Sequence, residues 1–157
     1  MSNYELQENG NILTIILSGK IDESSNYSAI KVDAFEKLIV DFNSVTSINS
    51  CGIREWINFL LAISNKSVIY KNCSKIIVDQ MSSVNEFLTP NTKVESIYLP
   101  YYCEDCDLEA VTLHNLSEIY KDNKWIIPEK KCSGCNNDME FDEVPEIYFQ
   151  FMKSCKN

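Results

Sequence analysis

Apolar and polar positions alternate in short runs along this chain, and the runs predict strands and helices in turn. Residues 4–8 and 11–18 are β-prone and are joined by Asn9-Gly10, a pair suited to the positive φ angles of a type I′ hairpin turn. Within the second run, Ile12-Leu13-Thr14-Ile15-Ile16-Leu17 is apolar at both parities, the pattern of a strand covered on both faces. Ser18-Gly19-Lys20-Ile21-Asp22 ends it, and a polar stretch leads into a short helical or turn segment to about Glu36. Leu38-Ile39-Val40-Asp41-Phe42 predicts another buried strand. From Gly52 or Ile53 the period lengthens, and Ile53, Trp56, Ile57, Leu60 and Leu61 fall on one helical face. Residues 67–70 predict a short strand. Ser74 can cap a second helix carrying Ile77, Met81, Val84 and Leu88, which Thr89-Pro90 stops. A last strand is expected over 94–99. The order β-β-(α)-β-α-β-α-β implies right-handed crossovers and a mixed, mostly parallel sheet with helices packed on it, an α/β (α+β) class.

Charge removes several functions from consideration. The chain has 23 acidic and 14 basic residues, a net charge of −9. Such a surface repels phosphates, which argues against nucleic acid and against anionic lipid as partners. The densest apolar run, Trp56 to Ile63, is broken by Asn58 and is far shorter than the ~18 residues of a spanning helix, so no membrane segment is expected. Met1-Ser2-Asn3-Tyr4-Glu5 has neither a basic stretch nor an apolar one, so a secretory signal is not expected and a cytoplasmic address follows.

The seven cysteines change the picture after residue 100. Cys103-Glu-Asp-Cys106 and Cys132-Ser-Gly-Cys135 are two Cys-x-x-Cys pairs separated by 25 residues. Each pair suits a tight turn that aims two sulfurs at one point, and together they offer four thiolates to one tetrahedral Zn²⁺. With no vacant coordination position, the zinc is expected to be structural, one per chain. Two disulfides need an oxidising compartment, and a thioredoxin-like site needs one pair rather than two. An iron centre uses the same four ligands. The insert shows strand-like alternation at Val111-Thr112-Leu113-His114 and again around Trp125-Ile126-Ile127, the pattern of a small β zinc ribbon with a long hairpin. His114, the single histidine, is expected at the surface, outside the ligand set. Pro145 can start a short helix whose Tyr148, Phe151 and Met152 pack inward. Cys73 and Cys155 stand outside the metal set.

Charge divides with the cysteines. Residues 1–100 carry 8 basic and 11 acidic side chains, and residues 101–157 carry 6 and 12. Two units are therefore expected, 1–100 and 101–157, meeting near Pro100. Glu104, Asp105, Asp107 and Glu109 crowd the first pair and form either a solvated acidic edge or a docking surface for a basic partner.

Three strings in the first unit carry a family likeness. Gly19-Lys20-Ile21-Asp22 ends a strand, Leu38-Ile39-Val40-Asp41 is an apolar strand ending in a carboxylate, and Val45-Thr46-Ser47-Ile48-Asn49-Ser50-Cys51-Gly52-Ile53 is a loop opening a helix. In this order they resemble the STAS domain of bacterial anti-sigma factor antagonists, over about residues 4–99. The resemblance implies a non-enzymatic signalling module that binds a protein partner, such as an anti-sigma factor of the kinase type. It places the partner-binding surface at Asp22, Glu23, Asn49, Ser50, Cys51, Gly52 and Ile53. Family members switch partners when the serine before the glycine is phosphorylated, and here that residue is Cys51; Asn49 replaces the family aspartate. Ser50 is then the hydroxyl that can be phosphorylated, or else the helix N-cap. The alternative is a thiol redox sensor using Cys51 in the positive potential of a helix N-terminus. No Ser-His-Asp set, Gly-rich phosphate loop or open metal site occurs, so no catalytic residue and no enzymatic activity are expected.

Overall fold

A computed structural model describes residues 3–154. They form a mixed α+β fold with four helices and two principal sheets. In the larger sheet, β1 (Tyr4–Asn9), β2 (Ile12–Ile21), β3 (Lys37–Ile48), β4 (Ser67–Lys71) and β5 (Thr92–Val94) lie side by side in chain order. β1 and β2 form the expected antiparallel hairpin, with Asn9 opposite Ile12 and Gly10 at φ 60° in the turn. The remaining neighbours are parallel and need crossovers. α1 (Ser50–Ala62) joins β3 to β4, and α2 (Lys75–Ser83) with a 3₁₀ turn at Asn85–Phe87 joins β4 to β5.

The crossover from β2 to β3 is made of turns. Asp22 Oδ1 accepts from the backbone N–H and hydroxyl of Ser24, and Asn26 Oδ1 does the same for Ser28. Short polar side chains that bond the backbone two residues on compete with a helix, which is why none forms here. Backbone bonds from Ser25 to Asp22, Ile30 to Tyr27 and Phe35 to Val32 close successive turns instead.

Burial in β2, β3 and β4 alternates in phase. Leu13, Leu38 and Val68 are register partners and all are buried, as are Ile15, Val40 and Tyr70. Both crossover helices therefore cover the same face of the sheet. The opposite face stays half-buried, including Ile12, Thr14 and Ile16, so β2 is covered fully on one side only. The buried face of α1 is Gly52, Trp56, Phe59 and Leu60; Leu61, expected inward, is 67% exposed. The observed face runs through Phe59 because α1 lies over an aromatic cluster. Trp56 packs edge-on to Phe42 and Tyr27, its indole N–H donates to Tyr70 Oη at 3.0 Å, and Tyr70 Oη donates to the Phe87 carbonyl at 2.8 Å. Burial holds the Tyr70 phenol well above its ordinary pKa, so it stays a neutral donor. α2 stops at Ser83, earlier than expected, because Val84 turns extended and the chain tightens into the 3₁₀ turn.

The strand expected over 94–99 belongs to two sheets. β5 ends at Val94 against β4, and the Glu95 N–H donates to the Tyr70 carbonyl at 2.8 Å. β6 (Ser96–Cys103) then enters a second, antiparallel sheet between β10 (Glu140–Phe141) and β7 (Leu108–Asn115). Pro100 lies inside β6. Its carbonyl accepts from the Asp142 N–H at 2.9 Å, so its own N faces the side where the two-residue β10 ends, and the ladder to β7 is uninterrupted. α3 (Leu116–Ile119) leads to a hairpin of β8 (Tyr120–Lys121) and β9 (Lys124–Trp125), turned by Asp122 and Asn123, both at positive φ.

α4 (Pro145–Tyr148) begins at the expected proline and passes into a 3₁₀ turn at Gln150–Lys153. Tyr148, Phe151 and Met152 are buried as expected. The Tyr148 hydroxyl donates to the Tyr98 carbonyl of β6, and Ser82 of α2 donates to the Tyr148 carbonyl at 3.2 Å while accepting from the Phe151 N–H. This C-terminal turn thus bridges the two sheets, and the buried side chains of both belong to one apolar cluster. Among the described residues no helix is long and apolar enough to cross a membrane. Cys155 lies outside the described residues.

Candidate metal centre and the start of the first helix

The first Cys-x-x-Cys is the turn of the β6–β7 hairpin. Cys103 is the last residue of β6, opposite Leu108, and the chain reverses through Glu104 to Asp107. Asp107, directly after Cys106, is at φ 51°. The second pair closes a smaller antiparallel loop between Lys131 and Asp138, and Asn136, directly after Cys135, is at φ 62°. The two turns share one design, a left-handed residue just past the second cysteine that folds its sulfur back toward the first. Asp and Asn are the non-glycine residues that enter this region most readily. That signal stood in the sequence at both places and marks two positions missed in the motif itself.

All four sulfurs, of Cys103, Cys106, Cys132 and Cys135, lie within 4.8 Å of one another, and Cys103 and Cys135 are 3.6 Å apart. Tetrahedral thiolate coordination with bonds of about 2.3 Å has edges of about 3.8 Å, so the four can hold a metal ion. Two contacts lock the turns together. Asn137 Nδ2 donates to Asp105 Oδ2 at 2.7 Å. A Cβ on Gly134 would sit 3.1 Å from Cys106 Sγ and 3.2 Å from Leu108 Cδ1, so glycine permits the close approach. The electrostatics suit a cation. The backbone N–H groups of Cys135 and Gly134 pull the Cys132 thiol down to about 7. Hydrogen bonding to Cys135 and then burial push Cys106 up to about 12. At Cys103 the Cys106 N–H favours the thiolate, but burial and the neighbouring sulfurs outweigh it and the thiol is raised. Four adjacent sulfurs resist common ionisation until a positive ion sits among them. His114 is outside the quartet, with Nε2 2.7 Å from the Thr112 hydroxyl.

At the start of α1, Asn49 bonds to Glu23 and Gly52 is buried against the end of β2, beside Asp22. Asn49, not Ser50, is the N-cap of α1. Its Oδ1 accepts from the Gly52 N–H at 2.9 Å, and its Nδ2 donates to Glu23 Oε2 at 3.0 Å. Ser50 is the exposed first residue of the helix, Cys51 is half-buried beside it, and Ile53 is half-buried in the first turn. Gly52 is required by contact, because a Cβ there would stand 2.1 Å from the Ile21 carbonyl oxygen. That approach seats the helix start against the end of β2 and therefore against Asp22 and Glu23. The Asn49 amide holds the Glu23 carboxyl below its usual range, and the Ser24 hydroxyl and N–H do so for Asp22. The Glu23 carboxylate lies at the positive end of α1, where the helix dipole favours it.

A scan against protein-family models finds no match, and no curated protein matches this sequence.

Proposed function

We propose that the chain is a non-enzymatic protein-interaction module of the bacterial partner-switching type, acting in the cytoplasm. In this reading a STAS-like unit, similar to the anti-sigma factor antagonists, is followed by a zinc ribbon. The observation that carries it is the exposed Ser50 at the first position of α1, held beside the Asp22-Glu23 loop by the Gly52 contact and the Asn49–Glu23 bond. A partner can read both elements at once. Phosphorylation of Ser50 would add nearly two negative charges next to Glu23, which deepens the negative charge there and either expels an acidic partner or recruits a basic one. The in-order sheet, antiparallel at β1 and parallel from β2 to β5, agrees with this family likeness.

The four-thiolate cluster supports a structural Zn²⁺, because four ligands complete its coordination and leave no position for substrate or water. Elemental analysis is expected to find one zinc per chain and no visible absorption band. Iron with such a band would replace zinc in this reading. The switch is tested by isolating partners from the source cells with the Ser50→Ala and Ser50→Asp variants. A protein retained by the alanine variant and lost with the aspartate variant is the expected result. Equal recovery by both would leave a constitutive binder without a switch.

A further inference from the structure

β7 is the outer strand of the smaller sheet, no other described strand pairs with it, and its outward backbone groups can be assigned. Pro100 accepts from Asp142, and the Tyr98 N–H donates to the Cys73 carbonyl at 2.9 Å. These two β6 residues therefore turn their backbone groups away from β7. Their partners Val111 and Leu113, and Glu109 opposite Tyr102, must then point their own N–H and C=O groups away from β6, to the free edge. The side chains at these positions are open too, with Val111 63% and Leu113 47% exposed.

Other edges are blunted. β1 is polar along most of its length, and β5 has three residues including a lysine. β7 pairs with β6 over eight residues with no bulge, and it has no proline or lysine. A long, regular, apolar edge without such protection is a template for another strand.

Charge chooses the occupant. Tyr102 is flanked on one face by its two register partners, Glu109 and Glu140, and Asp107 accepts from the Tyr102 hydroxyl at 2.6 Å. Asp142 follows opposite Pro100. β6, β7 and β10 contain no lysine or arginine. This face thus carries an apolar strip of Pro100, Val111 and Leu113, and the charged side chains of the three strands are all carboxylates. A second copy would bring the same carboxylates and a further net −9 to the seam.

We propose that β7 docks an extended segment of a partner protein that carries basic and apolar side chains on one and the same face, added as a fourth strand of the smaller sheet. Main-chain hydrogen bonds to Glu109, Val111 and Leu113 supply affinity, and the carboxylates select the charge. The surface is separate from the start of α1, so it stands whether or not Ser50 is a switch.

The test is a fluorescence-anisotropy titration of the full metal-loaded chain with the peptide Thr-Lys-Thr-Val-Thr-Val-Thr-Lys-Thr, which is long enough to cover β7 and puts its lysines and valines on one face. Binding that weakens with added salt is expected, and a peptide with glutamate for lysine should not bind. Leu113→Pro removes an outward N–H while sparing the ladder to β6, and should weaken binding about tenfold. Val111→Lys should weaken it as well, with circular dichroism and metal content unchanged in both variants. The proposal is overturned by no binding, by equal binding of the acidic peptide, or by equal affinity in folded Leu113→Pro. A dimer of the free chain that Leu113→Pro dissolves would also overturn it, since the edge would then belong to a second copy.

Discussion

The two larger sheets of this protein are held in different ways. The larger one, with α1 and α2 on a single face, buries Tyr27, Phe42, Trp56, Phe59, Tyr70 and Phe87 in one aromatic cluster with an internal hydrogen-bonded relay. The smaller one has little regular structure after β7. β8, β9 and β10 have two residues each, and between β9 and β10 the only β-pairing among the described residues is an isolated bridge, Lys131 to Asp138. Such short strands cannot hold themselves. Four sulfurs converge there, and elsewhere in the region Trp125 stacks on Phe149 and Phe149 on Phe141. The larger sheet takes its cover from crossover helices, whereas the end of the smaller one carries four thiols close enough to hold a metal ion.

The largest effect is expected from a chelator, if the four thiols hold the proposed zinc. Structural zinc contributes on the order of 10 kcal/mol to folding a small domain. Chelation is expected to loosen the β6–β10 region while the larger sheet persists. The two tryptophans report the regions separately, since Trp56 is fully buried under α1 and Trp125 stacks on Phe149 at 5.5 Å. Chelator should change the fluorescence of Trp125 and leave that of Trp56, which the Trp125→Phe variant isolates. Simultaneous loss of both signals would show that the bridge through Tyr148 and Ser82 makes one cooperative unit.

Next in size is Gly52→Ala. With 2.1 Å between the new Cβ and the Ile21 carbonyl, α1 must lift from β2, at a cost of about 3 kcal/mol. Urea unfolding followed at Trp56 should show the loss, while metal content stays at one equivalent. Asn49→Ala is smaller, about 1 kcal/mol for a lost N-cap. It also frees Glu23, so the Glu23 carboxyl should titrate closer to its ordinary range when followed by NMR. An unchanged Glu23 would mean that the Asn49 amide is not what orders the loop.

The candidate metal centre was largely legible in the chain, because a Cys-x-x-Cys pair is a local geometry that needs nothing from afar. The helix start was legible as a string, but its roles were not. Ser50 and Asn49 are both good capping residues, and only the register of α1 against β2, enforced by Gly52, decides that Asn49 caps and Ser50 is exposed. The segment from Asp22 to Glu36 was ambiguous between helix and turns, since its apolar residues have no clear period. The side-chain bonds of Asp22 and Asn26 resolved it toward turns. Leu61 was misplaced because a helix face is set by the surface it meets, and the aromatic cluster draws in Phe59 instead.

From residue 94 onward the apolar pattern continues smoothly, yet the chain changes sheet at Glu95. Alternation specifies a strand and its inward side, but backbone pairing carries no label for the partner. The strand and helix order through α2, the cysteine quartet and the acidic balance all follow from local periodicity, spacing and composition. The tertiary structure alone decided which sheet β6 joins, which residue caps α1, and which backbone groups of β7 face outward. Each of those depends on contacts between residues far apart in the chain, where packing and hydrogen-bond register override local preference.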